Sequence, residues 1–220
     1  MSLIPAICSS LFEVCATQPL DVIKTHYQTS TKVIYTFKNL YTGFIPRALG
    51  NIPSRTIFLY SQDLFKNYYS IKNISEYKKN IIIPTSAGFC QTLVDTPFEV
   101  LKINKIMNVQ NTFLYKGFIP HCSRNIIFLV SVYNFREYGK KNHEQQNVLI
   151  NSFYGAIGGV IGAYISHPFD TIKTRIQSNQ FSKIKIKDYF KGSHIRASMS
   201  MINMFVSLSM FELFKILNIF

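Results

Sequence analysis

Three acid–lysine pairs recur behind a proline. Asp21 and Lys24 follow Pro19 in PLDVIK, Glu99 and Lys102 follow Pro97 in PFEVLK, and Asp170 and Lys173 follow Pro168 in PFDTIK. An acid and a lysine three residues apart share one helix face, where the pair alone is worth only about 0.2–0.5 kcal/mol. Such groups pair ions; they need no catalytic apparatus. Arg47, Arg55, Arg124 and Arg196 sit in or beside apolar stretches. A planar guanidinium there is suited to bidentate contact with a carboxylate or phosphate. The histidines at 26, 121, 143, 167 and 194 show no metal or triad spacing, and Cys8, Cys15, Cys90 and Cys122 show no CxxC spacing. The chain is therefore expected to hold no metal and to be no enzyme.

The pairs belong to a repeat. YTG ends at Gly43, YKG at Gly117 and FKG at Gly192, which places glycine 24, 20 and 24 residues after the motif proline. A second acid–lysine pair follows 20 residues after each glycine: Asp63 with Lys66, Glu137 with Lys140, and Glu212 with Lys215. Three markers recurring in the same order divide the chain into repeats 1–72, 73–141 and 142–220 of one domain.

Each repeat carries two apolar segments. Segments such as 44–65 and 118–138 reach the roughly 20 residues that span a bilayer. Arg47, Arg55, Arg124 and Arg136 fall inside or at the edge of these segments. A charge at such a place faces a bundle interior or a watery cavity. Glycines 155, 158, 159 and 162 suit close helix packing in a membrane. Two spans per repeat return the chain to its starting side, so all three repeats share one orientation. The expected architecture is an all-α membrane protein with six transmembrane helices and pseudo-threefold symmetry about the membrane normal. Ligands of such parallel repeats bind near the midplane. The competing architecture is a soluble helical repeat protein.

Composition agrees with the membrane reading. Hydrophobic residues make up 47% and charged residues 16%, with 19 Phe and 13 Tyr. Soluble domains average about 25% charged residues. The formal net charge of +13 points to anionic partners. The lysines of KIKIK at 183–187 fit a nucleic-acid binder, but are read more simply as a positive loop near anionic lipid, with no nucleic-acid partner. No secretory signal with a basic start and a small-residue cleavage site precedes the first apolar stretch at Leu3.

Proline-x-acid-x-x-lysine three times, each followed by aromatic-x-glycine, resembles the mitochondrial carrier family over the whole chain. The resemblance implies transport across the mitochondrial inner membrane by alternating access. It implies helices kinked at Pro19, Pro97 and Pro168, with short matrix helices between the members of each pair. It implies a matrix gate in which Asp21 meets Lys102, Glu99 meets Lys173, and Asp170 meets Lys24, with Gln28 and Gln177 as braces. Ile106 stands where a third glutamine would stand. It implies a cytosolic gate in which Lys66 meets Glu137, Lys140 meets Glu212, and Lys215 meets Asp63. Cardiolipin is the implied bound lipid, at Gly43, Gly117 and Gly192 with Lys116 and Lys191; no other cofactor is implied. The implied substrate contacts are Gly50 and Asn51, Arg124 and Asn125, and Met199 and Ser200, with Arg47, Arg196 and Arg55 nearby. The substrate is then a small anionic metabolite, a nucleotide or deoxynucleotide or a keto or carboxylic acid, exchanged by a monomer. Thr42 replaces the usual basic residue, and the acid–glycine motif of the matrix helices is missing. These departures point to a pared-down member, with a carrier-like adaptor or receptor without transport as the alternative.

Overall fold

The structure, a computed structural model, describes the backbone of residues 3–72, 74–142, 148–180 and 185–216, and within these the side chains of 8–72, 74–141, 153–180 and 185–206. Six long helices dominate: α1 (Leu3–Thr29), α3 (Phe44–Ile71), α4 (Glu76–Met107), α5 (Phe118–Asn142), α6 (Val148–Gln177) and α7 (Ser193–Ile216). A one-turn helix α2 (Phe37–Leu40) lies between α1 and α3, and a 3-10 turn (Ile186–Phe190) lies between α6 and α7. The matching stretch between α4 and α5 has no helix of its own. Among the described residues, the matrix-side helices implied by the family resemblance are thus reduced to a short turn, or to none.

Each long helix packs on its neighbour in the chain, and α7 closes on α1. The result is a closed ring of helices. Helices α1, α4 and α6, which carry the motif prolines, also touch one another across the axis.

The ring is polar inside and apolar outside. Among the described residues, buried polar and charged side chains outnumber buried apolar ones. Phe12, Leu49, Phe89, Ile119, Ile165 and Phe205 are exposed on six different helices. No helix, among the described residues, is long and apolar enough to cross a membrane. Length is sufficient, since α3 has 28 residues and α5 has 25. Apolarity is what falls short of the expectation for segments 44–65 and 118–138. In these two segments Arg47, Arg55, Arg124 and Arg136 interrupt the apolar runs.

Two local devices hold the proline-bearing helices. Proline donates no backbone hydrogen bond, so it frees the carbonyl four residues before it. The Tyr41 hydroxyl donates to the carbonyl of Cys15, freed by Pro19, at 3.3 Å. The Tyr115 hydroxyl donates to the carbonyl of Leu93, freed by Pro97, at 3.2 Å. The aromatic residue of the repeated Tyr-x-Gly therefore repairs the gap made by the proline of its own repeat. In the third repeat Phe190 stands at that place and has no hydroxyl.

The second device is the motif glycine. Gly43, Gly117 and Gly192 have φ of +79°, +73° and +82° and open the second helix of each pair. A Cβ on Gly43 would come within 3.2 Å of the Lys102 carbonyl, and one on Gly117 within 3.5 Å of the Lys173 carbonyl. Each glycine thus lets one repeat seat against the ring lysine of the next. Left-handed backbone costs a residue with a Cβ about 1–2 kcal/mol. Gly43→Ala is expected to lower the midpoint of thermal unfolding by about 3–6 °C. An unchanged midpoint would count against this seating.

Candidate functional site

Helices α1, α4 and α6 bring the three motif pairs to one level at one end of the ring. Lys102 Nζ lies 2.9 Å from Asp21, Lys173 Nζ 2.5 Å from Glu99, and Lys24 Nζ 3.1 Å from Asp170. Each lysine also approaches the acid of its own helix, at 3.2 Å for Lys24, 2.7 Å for Lys102 and 3.9 Å for Lys173. All six side chains are at most 14% exposed. The i,i+3 spacing explains this arrangement. It puts acid and lysine on one inward face, where each can serve its own helix and the next.

The ring is braced unequally. Gln28 Nε2 donates to Asp170 at 2.8 Å, and its Oε1 accepts from Thr174 at 2.9 Å. Gln177, expected as a second brace, donates instead to the Lys116 carbonyl at 3.1 Å. Length is the reason. Gln18 and His167, each just before a motif proline, reach the carbonyls of Thr42 and Lys191, but Thr96 at that place is too short to serve Lys116. Ile106 lies beside Gly43 and makes an apolar contact where Gln177 makes a polar one.

Beyond the ring is a cavity of about 230 Å³. Arg47, Asn51, Arg124, Asn125, Arg196, Met199 and Ser200 line it, all of them among the expected contacts. Two expected contacts do not. Gly50 packs against Phe98, leaving no room for a Cβ, and it is Phe98 that lines the cavity. Arg55 is held by Glu13 through two hydrogen bonds of 2.8 and 2.6 Å. Sequence reasoning missed Gln91, Asp95, Phe98 and Asn203, which also line the wall.

The three lining arginines lean toward the ring. Arg47 is 3.8 Å from Asp21, while Arg124 and Arg196 are 3.4 and 4.0 Å from Asp170. Arg124 Nε and Arg196 Nη1 have no hydrogen-bond partner among the described residues. These are guanidinium donors in a buried setting, ready for an anionic acceptor.

A second register runs beneath the arginines. Four residues after each motif glycine stand Arg47, His121 and Arg196. Each bonds the residues just before the proline of its own repeat. Arg47 donates to Thr17 and Gln18 at 2.8 and 3.0 Å, and Arg196 donates to Ser166 at 2.8 Å. His121 is fully buried against Asp95, at 3.2 Å, and Thr96, at 3.1 Å. Counting from the glycines would have revealed His121 as the counterpart of two arginines.

The far end of the ring is arranged differently. Lys140 pairs with Glu137 of its own helix at 2.6 Å. Lys66 lies over the Tyr133 ring at 5.6 Å and forms no ion pair with Glu137. The side chains of Glu212 and Lys215 lie outside the described residues, so the pairs drawn with Lys140 and Asp63 do too.

Near the motif glycines, Lys116 bonds Asn111 at 2.8 Å and also meets Asn179. Lys191 reaches Asp188 at 2.8 Å and Ser30 at 3.4 Å. The Lys191 ammonium holds the half-buried Asp188 carboxyl below the usual carboxylate range. Both lysines stand beside helix starts, where unpaired backbone N–H groups favour an anion.

The two ends predict different mutational costs. Glu99→Gln leaves Lys102 and Lys173 short of a buried partner, a loss of about 3–5 kcal/mol. Glu137→Gln removes a half-exposed pair worth at most about 1 kcal/mol. Thermal unfolding of the two variants should rank them in that order. Equal midpoints would mean that the ring charges are not mutually dependent.

Comparison with known proteins agrees with this geometry. A sequence profile of the mitochondrial carrier protein family matches residues 144–209. A probable mitochondrial 2-oxodicarboxylate carrier of Schizosaccharomyces pombe is 30% identical over 215 residues, covering 77% of this chain and 71% of that protein. The mitochondrial 2-oxodicarboxylate carrier of Rattus norvegicus is 27% identical, covering 84% of this chain and 78% of its own length. The mitochondrial aspartate-glutamate transporter of Saccharomyces cerevisiae is 26% identical over 90% of this chain, which corresponds to 29% of that longer protein. With a full turn of ring charges and relatives that match across most of its length, the chain belongs to the mitochondrial carrier family, whose members are transporters and not enzymes.

Proposed function

We propose that the protein carries a small dicarboxylate, of the 2-oxodicarboxylate class, across the mitochondrial inner membrane by alternating access. The membrane placement draws on the family and on the inverted polarity of the ring, with apolar side chains outside and charges within. The six helices shield the charges from lipid together, where no one helix is apolar enough alone among the described residues.

The charge balance of the cavity carries the substrate reading. The gate level has three acids and three lysines. Beyond it stand Arg47, Arg124 and Arg196 against one acid, Asp95. The surplus is two positive charges, which a dianion neutralises. A nucleotide triphosphate would bring more charge than the cavity balances, and about 230 Å³ is small for it. The relatives named for 2-oxodicarboxylates favour the same class.

The two ends support the reading of alternating access. One end is closed by ion pairs between helices. At the other, Lys66 and Glu137 are apart. An anion moves such an equilibrium only through a difference in affinity between the states. Here the difference is concrete. Arg124 and Arg196 serve Asp170 in the closed ring and would turn to the anion's carboxylates. Exchange of one dianion for another, by a monomer with cardiolipin at the three glycine-led helix starts, completes the reading.

Purified protein in cardiolipin-containing liposomes should exchange labelled 2-oxoglutarate. Arg124→Ala should lower the initial rate by at least about tenfold, the effect of losing one charge-assisted contact of about 1.5–3 kcal/mol. Arg55→Ala, at a residue already held by Glu13, should keep much of the transport in those molecules that fold. Exchange that survives Arg124→Ala unchanged would refute the assignment.

A further inference from the structure

His121 is buried on α5 with no role in the gate. Its Nε2 lies 3.2 Å from Asp95, and Asp95 faces the cavity. Its Nδ1 lies 3.1 Å from the Thr96 hydroxyl. That hydroxyl is also 2.6 Å from the Thr92 carbonyl. Ser54 of α3 donates to the other oxygen of Asp95 at 3.3 Å. On the cavity side, Arg124 Nη2 lies 3.4 Å from His121 Nε2. The charged neighbours of His121 are Asp95 and Glu99 on α4, Arg124 on α5 and Lys173 on α6.

This arrangement accepts two protonation states without moving a heavy atom. With a neutral ring, Nε2–H donates to Asp95 and the Thr96 hydroxyl donates to Nδ1. With one more proton, Nδ1–H donates to the Thr96 oxygen, and the Thr96 hydroxyl turns to the Thr92 carbonyl. Within the set His121, Thr96 and Asp95, every donor has an acceptor in both states. The switch is the rotation of a single hydroxyl.

The consequence for the cavity is electrostatic. Without the extra proton the Asp95–His121 pair carries one negative charge beside Arg124. With it the pair is neutral, and the cavity's surplus of positive charge grows by one. An anion on Arg124 is therefore bound more tightly when the pair is protonated. By linkage, the bound anion also raises the pair's hold on its proton.

We propose that the Asp95–His121 pair is a proton-binding site coupled to the anion site, so that the carrier takes up a proton with its dianion. The inference rests on the dicarboxylate reading above. It adds a second bound species, at residues that the repeated motifs do not supply. Arg47 and Arg196, the counterparts of His121 in the other repeats, are permanently charged and provide no such site.

The test measures the dissociation constant of 2-oxoglutarate for detergent-purified protein by thermal shift between pH 5.5 and 8, where both carboxylates of the probe are ionised. For one linked proton the constant should weaken with rising pH by up to about tenfold per unit. Asp95→Asn and His121→Gln should each flatten this dependence, and helical circular dichroism shows which variants are folded. In weakly buffered solution, adding 2-oxoglutarate to the purified wild type should take up protons and raise the pH, and should not do so with a folded variant. Wild-type binding that is independent of pH, or a pH dependence kept by both variants, overturns the proton site and leaves the dicarboxylate function standing. Failure of wild type to bind 2-oxoglutarate at any pH overturns the dicarboxylate reading and the coupling with it.

Discussion

Six charges that cannot reach bulk water must find one another, and this requirement organises the molecule. Removing an ion from water costs several kcal/mol, which only well-placed partners offset. Asp21, Glu99 and Asp170 meet their lysines only if α1, α4 and α6 converge at one level. The other features of the fold serve that convergence. Tyr41 and Tyr115 repair the backbone where Pro19 and Pro97 open it. Gly43, Gly117 and Gly192 let the next helix begin against the carbonyl side of a ring lysine. A ring of this kind is not softly deformable. It is made, or it is broken at a cost that another set of contacts must offset.

The inward turn of the charges also explains why hydropathy fails to mark the helices. A single-helix criterion averages both faces, and each helix here has one face of each kind. Phe12 and Leu49 look outward while Asp21 and Arg47 look inward on the same helices. Apolar character belongs to the outer surface of the assembled ring more than to any one helix among the described residues.

What could be read from the amino-acid order was what the repeats state three times. The partners of Asp21, Glu99 and Asp170 followed from one spacing and one symmetry. Features present in a single copy were not legible. Nothing repeated marks Glu13, so Arg55 resembled a substrate ligand until Glu13 was found bonded to it. Gly50 counted as a contact by position, yet it exists to admit Phe98. The failure of Gln177 to brace the ring depends on Thr96 being shorter than Gln18 and His167, a difference that acts only once the helices are side by side. His121 was legible in principle, four residues after Gly117, but a histidine does not announce itself as the counterpart of two arginines.

The same asymmetry bears on how the ring responds to an anion. Asp170 receives Lys24, Lys173, Gln28, Arg124 and Arg196, whereas Glu99, among the described residues, bonds two lysines. The joint between α1 and α6 is thus the most heavily bonded, and three of its cations, Lys24, Arg124 and Arg196, also line the cavity. An anion entering the cavity competes with Asp170 for Arg124 and Arg196. It does not need to attack the lysine pairs directly. By drawing the two guanidiniums away it strips the best-supported acid of its surplus partners and makes the three joints more nearly equal. On the proposed function, substrate site and gate share their charged groups, so occupation of the one would be felt at the other through contact, with no separate relay between them.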